Sequence, residues 1–228
     1  MRQFLPALVA VSCLAVAAPA YRSASAQEAQ PPQVLVDAAA DVVVEMSADP
    51  HYPEIAQYLD RAKAVIVVPQ LIKAGLIVGG EGGEAVALAK RADGGWTAPA
   101  FYTLAGGSIG LQAGAESKRM IIAVMTDKAL NKLMSNQLEV GVDASISMGT
   151  VGGGVGASSV GSMEADMVTF SRSKGLFGGG SLDGTLIRPQ PEKNAAYYGA
   201  GADVKAILID GTASNAGAAS LQSALATR

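Results

Sequence analysis

The sequence predicts an α+β fold: N-terminal helices followed by a curved or closed, glycine-rich antiparallel β-sheet with short helices. Three observations lead there. Leu35, Ala39, Val42, Val43 and Met46 repeat at helical spacing near the N-terminus. From Ala64 onward the apolar residues come instead in short runs or strict alternation, as strands require. Those runs are broken by many of the chain's 27 glycines, and glycine inside a strand marks a bend or a close approach by something else.

In chain order, Val34 to Ala48 reads as a helix with Asp37, Asp41 and Glu45 together on its polar face. A helix lying on a membrane surface usually carries Lys or Arg there, and this one carries none. Pro53 to Lys63 reads as a second helix, with proline at its start. Ala64 to Val68 is a short apolar strand, after which Pro69 opens one helical turn to Lys73. Leu76 to Gly80 and Glu84 to Arg91 suggest a hairpin turning at Gly82-Gly83. Ser108 to Ala115 alternates, with one face reduced to Ser, Gly and Gln. Arg119 to Met125 is a buried strand, and Asp127 to Met134 a helix capped by Thr126 or Asp127. Val140 to Met148 alternates most cleanly of all. Thr150 to Ser162 is a glycine-serine loop, Ala165 to Ser171 and Leu176 to Leu182 are strands, and Leu186-Ile187 is a short return. Pro191 to Tyr198 and Asp203 to Ile209 are short helical or extended pieces. Leu221 and Leu225 share one side of an Ala/Ser-rich end.

Residues 1–26 read as a signal peptide: Arg2, an apolar stretch from Phe4 to Ala18, and the small-residue box Ala24-Ser25-Ala26. Cleavage is expected before Gln27, with a cut after Ala20 as the alternative. Cys13 lies inside this leader; a lipoprotein site there would leave a very short apolar segment. Residues 27–33 form a Pro/Gln-rich linker, 34–210 the main domain and 211–228 a tail. The expected location is outside the cytoplasm, in periplasm or extracellular space, and peripheral to a membrane at most.

Hydrophobic residues make up 50% and charged residues 16% of the 228, below the roughly 25% charge usual in soluble proteins. Loss of residues 1–26 lowers the basic count from 17 to 15 against 20 acids, a net charge of −5. Such a chain is a poor nucleic-acid binder, because phosphate contacts need clustered Lys and Arg. Bulk attraction to an anionic membrane is equally disfavoured, so an anionic lipid would need a local site.

Catalytic chemistry finds little to work with. His51 is the only histidine, and no Gly-x-Ser-x-Gly elbow is present. Without a cysteine in the mature chain, zinc sites and disulfides have no ligands. Gly80-to-Ala85 and Gly152-to-Ala157 match G-x-G-x-x-A in letters, but neither opens a helix in a βαβ unit. Asp143, Glu164, Asp166 and Asp183 lack calcium-loop spacing. No enzyme, metal or cofactor is expected.

Pro69, Lys73-Ala74-Gly75, Val78-Gly79-Gly80, Arg91, Gly95-Trp96, Pro99, Phe101-Tyr102, Gly110 and Gln112-Ala113-Gly114 stand in an order that resembles the SYLF domain family. Gly141-Val142-Asp143-Ala144-Ser145, Ser173 to Phe177, Ser181 to Gly184 and Tyr197-Tyr198-Gly199 continue it, so the likeness runs roughly from Val34 to Ile209. The resemblance implies non-enzymatic phospholipid binding, often of phosphoinositides. It directs attention to Lys73, Arg91 and Lys174 as cations for a head group, with Trp96, Phe101 and Tyr102 as aromatics for a water-lipid boundary. The alternative is that the aromatics fill the core and the cations are ordinary surface residues. At the level of function, the alternative is an envelope interaction protein that binds another protein, with lipid binding incidental.

Overall fold

In a computed structural model, which describes residues 30–75, 78–109, 114–148, 165–175 and 182–227, one curled sheet carries the fold. Its eight strands are β1 (Ala64–Gly75), β2 (Val78–Ala89), β3 (Ala100–Ile109), β4 (Gly114–Val124), β5 (Leu138–Glu139), β6 (Ile146–Met148), β7 (Met167–Gly175) and β8 (Leu186–Pro189). They lie in the order β5-β8-β3-β2-β1-β4-β7-β6. Neighbours are antiparallel except β6 and β7, which run parallel. The expected α+β class with a curved sheet is therefore what forms, with one parallel pair at an edge.

The unbroken apolar runs are explained by burial on both faces. On one face Val65, Val67, Val86, Leu88, Ile121 and Phe170 pack under α1 (Pro32–Ser47), α2 (Ile55–Arg61) and α6 (Ala219–Ala226). Leu221 and Leu225 of α6 are fully buried there. On the other face Ile66, Val68, Ala87, Tyr102, Met120 and Ile122 pack against α3 (Asp127–Leu133) and α5 (Val204–Leu208). Thr126 caps α3 by accepting from the Ala129 backbone N–H. Helix α4 (Pro191–Tyr198) anchors β3 through Asn194, whose Oδ1 accepts from the Phe101 N–H at 2.9 Å.

Three local expectations are corrected. Pro69 does not start a helical turn: β1 runs through it, and the register slips between Val68 and Leu71. A bulge is where a central strand tolerates a residue without an N–H. Gly82-Gly83 is not a turn either, since β2 passes straight through. Gly83 lies against that bulge, where an added Cβ would collide with the Gln70 carbonyl oxygen and stand 3.1 Å from Leu71 Cα. Val140 to Met148 is not one strand. Gly141 takes φ +85°, and Asp143 accepts from the Glu139 N–H at 2.9 Å, which folds the segment into a tight turn before β6. The expected loop at 150–162 and strand at 176–182 fall almost wholly outside the described residues, as does the leader.

Helices cover only part of each long strand. Past Ile72 in β1, and at the matching positions 79–81 of β2 and 114–116 of β4, the described sheet carries glycine, alanine and charged residues instead of bulky apolar ones.

Candidate anion-binding site

Two strands change character as they leave the shelter of α1. On β4, Ala123, Ile121, Arg119 and Ser117 share one face, and on β7 Val168, Phe170, Arg172 and Lys174 stand opposite them in register. The apolar face becomes cationic within one pair. Arg119 and Arg172 are direct cross-strand partners, and like charges so placed repel unless something neutralises them. Glu45 of α1 does so. One carboxylate oxygen accepts from Arg119 Nη1, and the other accepts from Arg172 Nη1 at 2.8 Å. Asp49 Oδ2 lies 3.6 Å from the same Arg172 nitrogen. His51, by its backbone N–H and then its ring, holds the Asp49 carboxyl below its usual range.

Glu45, Arg119 and Arg172 wall a groove of about 250 Å³ between α1, the β1 bulge at Pro69 and Gln70, and the β4–β7 pair. Three cations, Arg119, Arg172 and Lys174, line it against the single carboxylate of Glu45. Among the described residues Lys174 has no acidic partner, and it is exposed. Guanidinium forks with a free ammonium beside them suit an oxyanion such as a phosphate.

The residues singled out from sequence separate. Lys174 lies in this groove. Lys73 lies on the opposite face of the sheet, because its row is Glu81–Lys73–Glu116 while Lys174 shares a row with Ser117 and Ile72. Arg91 is elsewhere, in the turn before Trp96, 3.2 Å from Asp93 and half exposed. The aromatics are core residues: Trp96 is 3% exposed and Phe101 and Tyr102 are fully buried. Lys90 Nζ stands 4.8 Å over the Trp96 ring, Phe101 meets Tyr197 edge-on at 5.2 Å, and Tyr102 donates to the Leu133 carbonyl at 3.0 Å. Burial raises the Tyr102 hydroxyl pKa well above its usual value. Tryptophan and tyrosine accept such burial when their polar ends find partners, so none of the three is placed to meet a lipid boundary.

Lys73 belongs instead to a buried ladder. Glu81, Lys73 and Glu116 are successive cross-strand neighbours, and Lys118 Nζ lies 3.3 Å from Glu116 Oε2. Thr185 donates to Glu81 Oε1 at 2.5 Å. Two cations and two anions balance, which is how charge survives burial. The Gly141-to-Ser145 motif is also structural. Asp166 accepts from the Ser145 N–H and Oγ at 3.0 and 3.1 Å, from Thr126 Oγ1 at 2.7 Å and from Lys128 at 3.0 Å. Among the described residues no three His, Cys, Asp or Glu side chains group as a metal would need.

Arg119 and Arg172 escape a motif-led reading. The available signal was a charge closing an apolar alternation, Ala123-Ile121-Arg119 and Val168-Phe170-Arg172, with an acid on the helix face that covers it.

Comparison with known proteins fits this framework. The family described as Las17-binding protein actin regulator (Ysc84) matches residues 105–228. The chain belongs to this Ysc84, or SYLF, family. "Protein YSC84" of Saccharomyces cerevisiae is 31% identical over 154 residues, covering 66% of this chain and 32% of the yeast protein. "LAS seventeen-binding protein 3" of the same yeast is 31% identical over 153 residues, 66% of this chain and 33% of that one. "SH3 domain-containing YSC84-like protein 1" of Rattus norvegicus is 30% identical over 144 residues, 63% and 42% of the two chains. The chain thus spans about a third of the yeast relatives' length. No solved structure matches it. One of these relatives is named for binding, and the residues that match the family, 105–228, hold β4, β7 and both groove arginines.

Proposed function

We propose that the protein is a non-enzymatic binder of anionic phospholipid, exported to the cell envelope, with the Arg119–Arg172–Lys174 groove as its head-group site. The observation that carries this reading is the cross-strand arginine pair. Two guanidinium groups are held side by side by a fold that must supply an internal carboxylate to neutralise them. A lipid phosphate offers the same paired oxygens as Glu45. The site is local, as a net-acidic chain requires, and the exposed acids Asp37 and Asp41 of α1 keep bulk attraction low. Each cation near an anionic membrane contributes about 1 kcal/mol, so three give roughly two decades in affinity. No helix among the described residues is long and apolar enough to cross a membrane, and the reading is one of peripheral contact.

The test is flotation of residues 27–228 with vesicles of phosphatidylcholine alone or mixed with phosphatidic acid. Binding is expected to the mixed vesicles only and to weaken with salt. A protein partner is the second reading, favoured by the name of the yeast LAS seventeen-binding protein 3. Indifference to both vesicles would favour it.

A further inference from the structure

The groove does not end at its cations. Across the sheet, one row of register partners reads Lys174, Ser117, Ile72, Gly82 and Ala105, from β7 through β4, β1 and β2 to β3. Neighbouring positions alternate onto the opposite face, so these five side chains share the face that carries Arg119 and Arg172. Its chemistry changes along the row, from ammonium and hydroxyl at β7 and β4 to an aliphatic side chain and bare backbone at β1, β2 and β3. The apolar half is an open hollow of about 570 Å³, whose floor includes Ile72, Ala74, Gly80, Gly82 and Ala105. Ile72 is 38% exposed there, one of the large apolar side chains the described fold leaves in solvent. Glu84, on the rim towards the helices, is neutralised by Lys193.

Resting on the head-group reading above, we propose that this hollow receives an acyl chain of the lipid whose phosphate sits at Arg119, Arg172 and Lys174. The lipid would then lie along the sheet, phosphate over β4 and β7 and hydrocarbon over β1, β2 and β3. Three strand spacings separate Ser117 from Ala105, on the order of 14 Å, a run comparable with a fatty acyl chain. Lack of bulk is what the arrangement needs. A side chain at Gly80 or Gly82 would stand in the hollow, and the Cβ itself would fit: it would lie 3.9 Å from the Gly106 carbonyl oxygen at Gly80, and 3.9 Å from that of Leu104 at Gly82. Glycine at these two positions is therefore not demanded by backbone packing. Gly83, one residue away on the other face, is so demanded.

The experiment measures the affinity of residues 27–228 for inorganic phosphate and for monoalkyl phosphates of increasing chain length, each below its micelle concentration. Affinity is expected to climb with chain length, by up to about fourfold for each methylene that becomes fully buried. Gly82→Leu should flatten the climb and leave inorganic phosphate unaffected, with Gly80→Leu as the second variant if the first does not fold. An affinity that is independent of chain length, or a climb unchanged in a folded variant, overturns the acyl site while leaving the head-group site standing. Failure of every phosphate probe to bind the wild type overturns both.

Discussion

Arg119 and Arg172 stand opposite one another across β4 and β7, and the two oxygens of Glu45 are divided between them, one to each guanidinium. An anionic ligand must therefore displace or share a resident carboxylate. Glu45→Gln removes that competitor and should raise affinity for phosphatidic acid vesicles about fivefold. The stability cost should stay below about 1 kcal/mol, because all three side chains are a third or more exposed. Flotation and a thermal melt of the same variant check both. Weaker binding would instead mean that Glu45 organises the arginines for the ligand.

Trp96 is sealed beneath Lys90, and its backbone carbonyl accepts from Gln222 Nε2 at 3.1 Å. Its emission should already lie to the blue in the free protein and should not move when anionic vesicles are added. A blue shift on binding would return the aromatic to the membrane boundary.

Asp166 is a point of acid sensitivity. Burial alone would raise its pKa, but the bonds from Ser145, Thr126 and Lys128 outweigh that and hold it at about 2. A depressed carboxyl contributes stability above its unfolded value near 3.9 and loses it as pH falls through the folded value. That contribution is roughly 2 kcal/mol. Asp166→Asn should therefore lower the melting temperature by a constant amount above about pH 5. The gap from wild type should close as pH falls towards about 2.

The buried ladder gives a different signature. Glu116 and Lys118 side chains are 1% and 9% exposed, so removing one charge strands the other. Glu116→Leu should cost about 3 kcal/mol or more, and adding Lys118→Met should recover most of it. Lys73 keeps Glu81 in either case. Denaturant midpoints of the two variants decide it; additive losses would show that the pair is not coupled.

Much of the frame was legible in the sequence because local rules were obeyed. The α1 stripe, the Thr126 cap and the buried Leu221 and Leu225 follow from spacing alone. Legibility failed where a distant strand decides the backbone. Pro69 is extended because a bulge accommodates it, and position 83 takes glycine within a strand because the Gln70 carbonyl crowds it, neither of which a local pattern records. The candidate site failed in the same way. Lys174 lay in a motif, but its companions Arg119 and Arg172 are neighbours only through pairing of β4 with β7, and Lys73 left the group once the bulge fixed the register of β1.

On the proposed reading, one groove rather than scattered surface charge holds the anionic lipid. Flotation of Arg172→Gln/Lys174→Gln beside Arg91→Gln, with folding checked by circular dichroism, decides between the two. The groove variant should lose roughly thirtyfold in affinity for phosphatidic acid vesicles, and Arg91→Gln should bind like wild type. Equal losses in both, or none in a folded groove variant, would contradict that reading.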